Sequence, residues 1–172
     1  MNKNIEIKAR CDNQEGIRKI LKSKKAKYEG TDYQIDTYFK VANGRLKLRE
    51  GNIENALIHY NRNNTKGPKQ CEYTLYASNN PAKLKKTLTD SLGILVVVEK
   101  KREIYLIDNI KFHIDIVKGL GTFVEIEATD RDGCIEENKR KEQCEYFIDL
   151  FQIAERDLVA DSYSDLLLLN NI

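Results

Sequence analysis

The chain has 172 residues, of which 41% are hydrophobic, so it is long enough to bury one core of ordinary size. Its 29 Lys and Arg residues nearly balance its 27 Asp and Glu residues. The resulting net charge of +2 excludes the strong overall field of a non-specific nucleic-acid binder. Any anion site must therefore be local, and we expect a single domain over residues 1–172.

The sequence also indicates in which cellular compartment the protein works and which partners it binds. No apolar run approaches the roughly 20 residues that span a bilayer, and the first residues lack the apolar core of a signal peptide. The four cysteines are scattered and show no zinc spacing, which favours reduced thiols without a special role. We expect a cytoplasmic monomer or homodimer with no membrane or nucleic-acid partner.

The N-terminal region predicts a strand followed by a helix. Polar and apolar residues alternate from Lys3 to Arg10, as in a half-buried strand. Its polar face holds Asn4, Glu6, Lys8 and Arg10. Asp12 and Glu15 then resemble a capping box, which predicts a helix to about Tyr28.

Four further strands are predicted before the next helix. They cover Tyr33–Val41, Arg45–Arg49, Ala56–Arg62 and Gln70–Ala77. The second of these follows a turn at Gly44 and places Arg45, Lys47 and Arg49 on one face. In the third, Arg62 shares a face with Ile58 and Tyr60.

The second half of the chain continues with a capped helix. Asn80 before Pro81 is a helix N-cap followed by proline at the first helical position, and Gly93 marks the end of this helix. Leu95–Ile107 reads as a long strand with Lys100 and Arg102 on one face. Residues 136–151 predict an amphipathic outer helix, and Asp161 is expected to cap a last helix over Ser162–Leu169.

A β-hairpin is predicted between Lys111 and Glu127. Alternation places His113 and Asp115 on one face of its first strand, and Glu125 and Glu127 on one face of its second. The hairpin brings the total to about eight strands, a number suited to closure. We therefore expect an α+β protein whose closed antiparallel β-barrel carries its helices on the outside.

The charged faces of these strands carry the functional argument. If the apolar faces pack under helices, the charged faces point the other way, either into the lumen of a barrel or onto one open side of a sheet. The lumen is the more economical arrangement, and an unpaired charge buried there would cost several kcal/mol. Cations outnumber carboxylates in this set, which favours a polyanionic ligand. Several carboxylates among them favour a hard divalent metal that bridges to phosphate oxygens.

The motifs in these strands resemble those of the CYTH superfamily, the triphosphate tunnel metalloenzymes. Residues 4–10 (NIEIKAR) resemble its N-terminal Glu-x-Glu-x-Lys signature. Its later motifs are matched, in order, by residues 44–49 (GRLKLR), Lys100-x-Arg102, His113-x-Asp115 before Gly119-Leu120-Gly121, and residues 123–127 (FVEIE). Each motif alone is weak, but five in order with matching spacing are specific.

The resemblance implies an eight-stranded tunnel in which cations grip a triphosphate and glutamates hold Mg²⁺ or Mn²⁺. Triphosphate-binding roles fall on Lys8, Arg10, Lys47, Arg49, Arg62, Lys100 and Arg102. Metal-binding roles fall on Glu6, Glu125, Glu127 and Asp115. The resemblance also implies catalytic roles for Asp115, which could orient water, and for Lys8.

Three functions are compatible with this resemblance. The pattern around His113 favours a class IV adenylyl cyclase-like enzyme that converts ATP to cyclic AMP and pyrophosphate. A triphosphatase acting on tripolyphosphate, thiamine triphosphate or a nucleoside triphosphate is the alternative. A non-catalytic triphosphate binder is the third, because Asn4 stands where the signature has its first Glu and removes one charge from the metal site.

Overall fold

Eight strands form the framework of the protein in the computed structural model, which describes residues 2–78, 80–130 and 133–170. They are β1 (Asn2–Arg10), β2 (Lys27–Phe39), β3 (Arg45–Glu50), β4 (Ala56–Arg62), β5 (Lys69–Ala77), β6 (Ile94–Ile107), β7 (Ile110–Val117) and β8 (Gly121–Asp130). All neighbouring pairs are antiparallel, in the order β1-β5-β4-β3-β2-β6-β7-β8. Pairing of β1 with β8 closes the sheet, which confirms the expected α+β barrel.

Four helices lie outside the strands in the residues that the structure describes. They are α1 (Gln14–Ser23), α2 (Pro81–Leu92), α3 (Glu137–Leu150) and α4 (Tyr163–Asn170). A short 3₁₀ turn, Glu155–Asp157, separates the last two. None of the helices in the described part of the chain has the length and apolar character needed to cross a bilayer.

The first helix is shorter than its sequence predicts. Its N-cap is Asn13, whose Oδ1 accepts a hydrogen bond from the Gly16 N–H at 3.0 Å, so the prediction of Asp12 as the cap is wrong. The helix ends at Ser23 instead of Tyr28 because Lys25 takes a left-handed backbone conformation with φ of 59°. The chain then enters β2 at Lys27.

The caps of the later helices follow the same physical rules. The side chain of Asn80 accepts from the Lys83 N–H at 3.2 Å, and Gly93, with φ of 74°, ends the helix, as predicted. The cap of α4 is Ser162 and not Asp161. Ser162 Oγ accepts from the Asp165 N–H at 3.1 Å, and the Asp165 carboxylate accepts in return from the Ser162 N–H at 3.1 Å.

The main hydrophobic core lies between the barrel and two helices. The outward faces of β1, β7 and β8 pack under α1 and α3. Its buried members from the strands are Ile5, Ile7, Ala9, Ile110, Phe112, Ile114, Val124, Ile126 and Ala128. Because alternate residues on these strands point inward, burying the apolar face outside the barrel turns the charged face into its interior.

A second, smaller core joins α4 to strands β6, β7 and β8. Tyr163 at the start of α4 packs edge-on against Phe123, with ring centroids 5.0 Å apart. Val98, Val117 and Leu120 are buried beside them. Tyr163 also reaches the charged residues, because its hydroxyl donates to Asp115 at 2.8 Å and its ring lies 3.9 Å from Lys8 Nζ.

The main core generates a stability prediction. Phe112 has no exposed surface, and its ring lies 4.6 Å from that of Phe147 and 5.7 Å from that of Phe151. Phe112→Ala should lower the free energy of unfolding by about 3–5 kcal/mol, because it leaves a cavity under α3. Tyr76→Ala, at a tyrosine that is 68% exposed, should change it by less than about 0.5 kcal/mol. Urea titrations would measure both, and equal effects would contradict the assignment of this core.

Candidate active site

Inward-facing side chains of all eight strands enclose a cavity of about 390 Å³. Most of the residues predicted to bind a triphosphate or a metal line it. They are Glu6, Lys8, Lys47, Arg49, Arg62, Lys100, Arg102, Glu125 and Glu127. The alternation of each strand thus brings residues up to 121 positions apart in the chain into one site.

Two of the predicted residues do not line the cavity. Arg10 is exposed, and its guanidinium donates to the Leu120 carbonyl at 3.1 Å and lies over the Phe123 ring. Asp115 is fully buried behind Arg102: its Oδ1 accepts from Arg102 Nε at 2.7 Å, and its Oδ2 accepts from the Tyr163 hydroxyl at 2.8 Å. This placement suits Asp115 to holding Arg102.

One buried carboxylate, Asp36, gathers three of the predicted phosphate-binding cations. Its Oδ2 accepts from Lys100 Nζ at 2.7 Å and from Lys47 Nζ at 2.9 Å, and its Oδ1 accepts from Arg49 Nε at 2.8 Å. Burial by itself would raise the pKa of Asp36, but Arg49, Lys100 and Lys47 outweigh burial and hold that pKa well below its usual range. Asp36 is therefore a permanent anion.

One of the two lysines in this group, Lys100, has a pKa near neutrality. Burial is the main cause that lowers the pKa of Lys100 to about 7, and Arg49, Arg102 and Lys47 lower it further. Asp36 opposes these effects. Without its carboxylate partner, Lys100 would lose its charge more readily still.

A second group forms around Glu125. This carboxylate lies 2.6 Å from Arg102, 3.2 Å from Lys8 and 3.1 Å from His113 Nδ1. Burial would raise the pKa of Glu125, but Arg102 and Lys8 outweigh it, so Glu125 stays charged. His113 is neutral at pH 7, because burial above all, and then Arg102, lowers its pKa to about 4.

The third group lies where β1 meets β8. Glu6 and Glu127 are direct cross-strand partners, Glu6 accepts from Arg62, and the Asn4 amide donates to Glu127. Burial, followed by the charges of Glu6 and Glu125, raises the pKa of Glu127 to about 7, against an opposing effect of Lys111. Two carboxylates held this close indicate a place where a cation would relieve repulsion.

The third group fits a metal ion in part. Across residues 2–78, 80–130 and 133–170, no three Asp, Glu, His or Cys side chains form a complete metal site. Glu125 is turned toward cations, so the predicted glutamates do not converge as one cluster. Glu6, Glu127 and the amide oxygen of Asn4, which has no hydrogen-bond partner among the described residues, nevertheless offer the hard oxygen donors that Mg²⁺ and Mn²⁺ prefer.

Sequence reasoning missed several residues of this site. Asp36 was a detectable candidate, because it shares its strand face with Tyr38, which lines the cavity. Glu54 gave no signal: it lies in the turn between β3 and β4, outside any alternation, and accepts from Arg49 at 2.7 Å and from Lys111. Tyr163, which lines the cavity from α4, also lies outside the strands.

These additions correct the expected charge of the interior. The cations that line it are Lys8, Lys47, Arg49, Arg62, Lys100, Arg102 and Lys111. The carboxylates that line it or bind those cations are Glu6, Asp36, Glu54, Asp115, Glu125 and Glu127. Seven cations thus meet six carboxylates, so the excess of cations that the sequence predicts is small and the interior is close to neutral.

One wall of the cavity differs from the rest. The inward residues of β4 and β5 are mainly apolar or aromatic: Ala56, Ile58, Tyr60, Cys71, Tyr73 and Leu75. Leu75 is 51% exposed. The cavity therefore combines charged walls with one wall suited to an organic group.

The position of Asp115 generates a prediction about stability in metal-free protein. Asp115→Asn should lower the free energy of unfolding by about 3–5 kcal/mol, because Arg102 loses its bidentate partner inside the barrel. Glu127→Gln should cost less than about 1 kcal/mol, because it removes a carboxylate that faces Glu6. Urea titrations in EDTA at pH 8 would measure both. The reverse order would mean that Asp115 belongs to the repelling carboxylates.

Comparison with solved structures places this barrel among known proteins. The PH1012 protein of Pyrococcus horikoshii OT3 superposes with a TM-score of 0.80 at 22% identity, over 96% of this chain and 99% of that chain. A candidate adenylate cyclase of Vibrio parahaemolyticus gives 0.72 at 20% identity, over 95% and 97%. The candidate adenylyl cyclase HpAC1 of Hippeastrum, described as having a dominant triphosphatase activity, gives 0.64 at 15%, over 99% and 96%.

These similarities are to the fold, because every identity is low. No curated protein matches the chain significantly. The family model of the CYTH domain, however, matches residues 2–158, which include all eight strands. The chain therefore belongs to the CYTH family.

Proposed function

We propose that this protein is a divalent-metal-dependent enzyme that converts ATP to cyclic AMP and pyrophosphate, in the manner of a class IV adenylyl cyclase. The observation that carries the proposal is the division of one cavity into three parts. Cations line one part, the Glu6–Glu127 pair lies beside them, and an apolar wall lies on β4 and β5. A triphosphate, a metal and an organic group would each find a matching surface.

The cations would hold the phosphates. Lys47 and Lys100 offer compact charges, and Arg49 and Arg102, whose Nε–Nη2 forks bind Asp36 and Asp115, would add their charge and their remaining N–H donors. In Arg62 the Nε and Nη2 atoms are buried without a hydrogen-bond partner among the described residues. Such unpaired donors in a cavity favour an anionic ligand.

Glu6 and Glu127, with Asn4 beside them, would hold the metal. The chemistry that a divalent cation supplies at such a site is neutralisation of phosphate charge and stabilisation of an attacking oxygen. The near-neutral interior supports this role, since seven cations accompanied by six carboxylates cannot alone balance a bound triphosphate. Glu125, bound to Lys8 and Arg102, would order the cations.

In the proposed reaction the 3′-hydroxyl oxygen of ATP attacks the α-phosphorus. The new O3′–Pα bond forms as the bond between Pα and the α,β-bridging oxygen breaks, and this oxygen leaves with the pyrophosphate. The hydroxyl proton passes to the solvent. Lys8, beside Glu125 and above the Tyr163 ring, would contact the reacting phosphate. Arg102, held by Asp115, would retain the pyrophosphate as it leaves. Asp115 would thus act through Arg102.

Triphosphate hydrolysis is the second candidate. The same cations would hold the substrate, and water would replace the 3′-hydroxyl as the nucleophile. The similarity to the Hippeastrum protein, with its dominant triphosphatase activity, favours keeping this candidate. The two reactions differ in their products, which makes them separable by assay.

Product identity tests the proposed reaction. With ATP and Mg²⁺ or Mn²⁺, we expect cyclic AMP and pyrophosphate in equal amounts. Glu127→Gln should lower kcat by about 10–100-fold, because it weakens the metal site, while ATP binding in EDTA should stay within about threefold. Glu99→Gln, which removes an exposed carboxylate paired with Lys118 on the outer face of β6, is the matched control.

Release of inorganic phosphate from ATP would identify the reaction as hydrolysis. If the protein turned over none of ATP, GTP, tripolyphosphate and thiamine triphosphate, it would be a non-catalytic triphosphate binder.

The apolar wall gives a separate test of the organic part of the substrate. Leu75→Asp should raise KM for ATP about tenfold, because a carboxylate would replace the apolar surface that an adenosine group would contact. Inhibition of the enzyme by tripolyphosphate, which lacks an organic group, should change by less than about threefold. Tyr76→Asp adds the same charge at the next, highly exposed residue and should change neither constant. Equal losses with both ligands would show that Leu75 does not contact the organic group.

A further inference from the structure

Asp36 has a position that the proposed reaction does not by itself require. It lies on β2 between β3 and β6, and both neighbouring strands send cations to it: Lys47 and Arg49 from β3 and Lys100 from β6. Asp36 is 1% exposed and does not line the cavity, whereas its three partners do. The carboxylate therefore supports these cations from behind.

The geometry leaves donors available for a ligand. Asp36 Oδ2 accepts one hydrogen bond from Lys47 and one from Lys100, and an ammonium group carries three N–H donors. Arg49 binds Asp36 through Nε and Nη2, and its Nη1 binds Glu54 at 2.7 Å. A phosphate could thus contact the two lysines without displacing Asp36.

We propose that Asp36 is a positioning residue for triphosphate binding: its single buried carboxylate holds Lys47, Arg49 and Lys100 together as one preformed, fully charged phosphate-binding group. The inference rests on the proposed function in that the ligand is a triphosphate. Three cations brought together away from water would repel one another without this anion. Asp36 is thus needed both for their geometry and for their charge.

Lys100 is the member of the group whose charge depends most on Asp36. Asp36 faces it from β2, Lys47 and Arg49 face it from β3, and Arg102 lies on its own strand. Its partner on β7 is Val117, which does not titrate. Of these groups only Asp36 favours the charged amine, and the pKa of Lys100 is already as low as about 7. Removing the Asp36 charge should leave Lys100 neutral at pH 7.5.

Asp36 could also weaken triphosphate binding by repelling the ligand. Whether Asp36→Asn lowers or raises the affinity for triphosphate therefore decides between the two effects. A carboxylate 2.7 Å from Lys100 repels any phosphate that approaches the same amine. If that repulsion were its main effect, Asp36→Asn would tighten triphosphate binding at every pH. If Asp36 positions and charges the group, the same variant weakens binding at neutral pH.

The test measures binding without turnover. Inorganic tripolyphosphate is titrated by calorimetry in EDTA, from pH 5.5 to pH 8.5, into the full-length wild-type protein, Asp36→Asn and Lys100→Arg. We expect Asp36→Asn to lose at least about tenfold in affinity at pH 7.5 and at least about threefold less than that at pH 5.5, because acid restores the Lys100 charge but not the carboxylate that positions the three cations. Lys100→Arg keeps its charge at every pH, so the change in its affinity between pH 5.5 and pH 8.5 measures the contribution from protonation of tripolyphosphate itself. Unchanged or tighter binding by Asp36→Asn at pH 7.5 would overturn the proposal.

A ligand-free measurement keeps this test separate from the proposed function. The Lys100 amine is titrated by NMR in lysine-labelled protein, and Asp36→Asn should lower its pKa by at least about one unit, whereas the control Glu99→Gln should not. An unchanged Lys100 pKa would overturn the proposal even if no triphosphate binds. Absence of tripolyphosphate binding by the wild type would instead overturn the proposed function.

If Asp36→Asn does not fold, a double variant replaces it in the binding test. The double variant Asp36→Asn, Lys100→Met removes one buried charge of each sign from the group. It should fold and should bind tripolyphosphate at least about tenfold more weakly than the wild type at both pH 5.5 and pH 7.5. Wild-type affinity in the double variant would overturn the proposal.

Discussion

The interior of this barrel depends on pairing most of its buried cations with carboxylates. Helices α1 and α3 cover the apolar outer faces of β1, β7 and β8, so the charged faces of these strands must point inward. Charges enclosed in this way are stable only beside partners that replace water. Asp36, Glu125 and Glu6 supply those partners, each for a different set of cations. Closure of the sheet therefore encloses the charged faces, and the ion pairs between neighbouring strands stabilise the enclosed charges.

This pairing also shapes what the interior can bind. A strongly basic tunnel would attract any polyanion, whereas seven cations already matched by six carboxylates offer little net charge. Selectivity must then come from the geometry of the donors. The ordered groups around Asp36 and Glu125 provide such geometry, because every cation in them is held at hydrogen-bond distance.

Period-two alternation explains why so much of the site could be predicted from sequence. Lys100 and Arg102 on β6 needed only their own strand to be assigned to the interior. The role of Asp36 could not be predicted in this way, since it depends on β2 lying between β3 and β6, which is a property of the closed barrel. Arg10 shows the converse limit: it follows the correct face of β1 but lies at the end of the strand, beyond the cavity.

Asn4 can be understood from the same balance of charges. It is 1% exposed, and its amide donates to Glu127, the carboxylate that faces Glu6 across the β1–β8 seam. A glutamate at this position would add a third negative charge to a pair in which burial, and then the charges of Glu6 and Glu125, already raise the pKa of Glu127 to about 7. The amide instead stabilises that pair while keeping an oxygen for coordination, at the expense of one charge toward a cation.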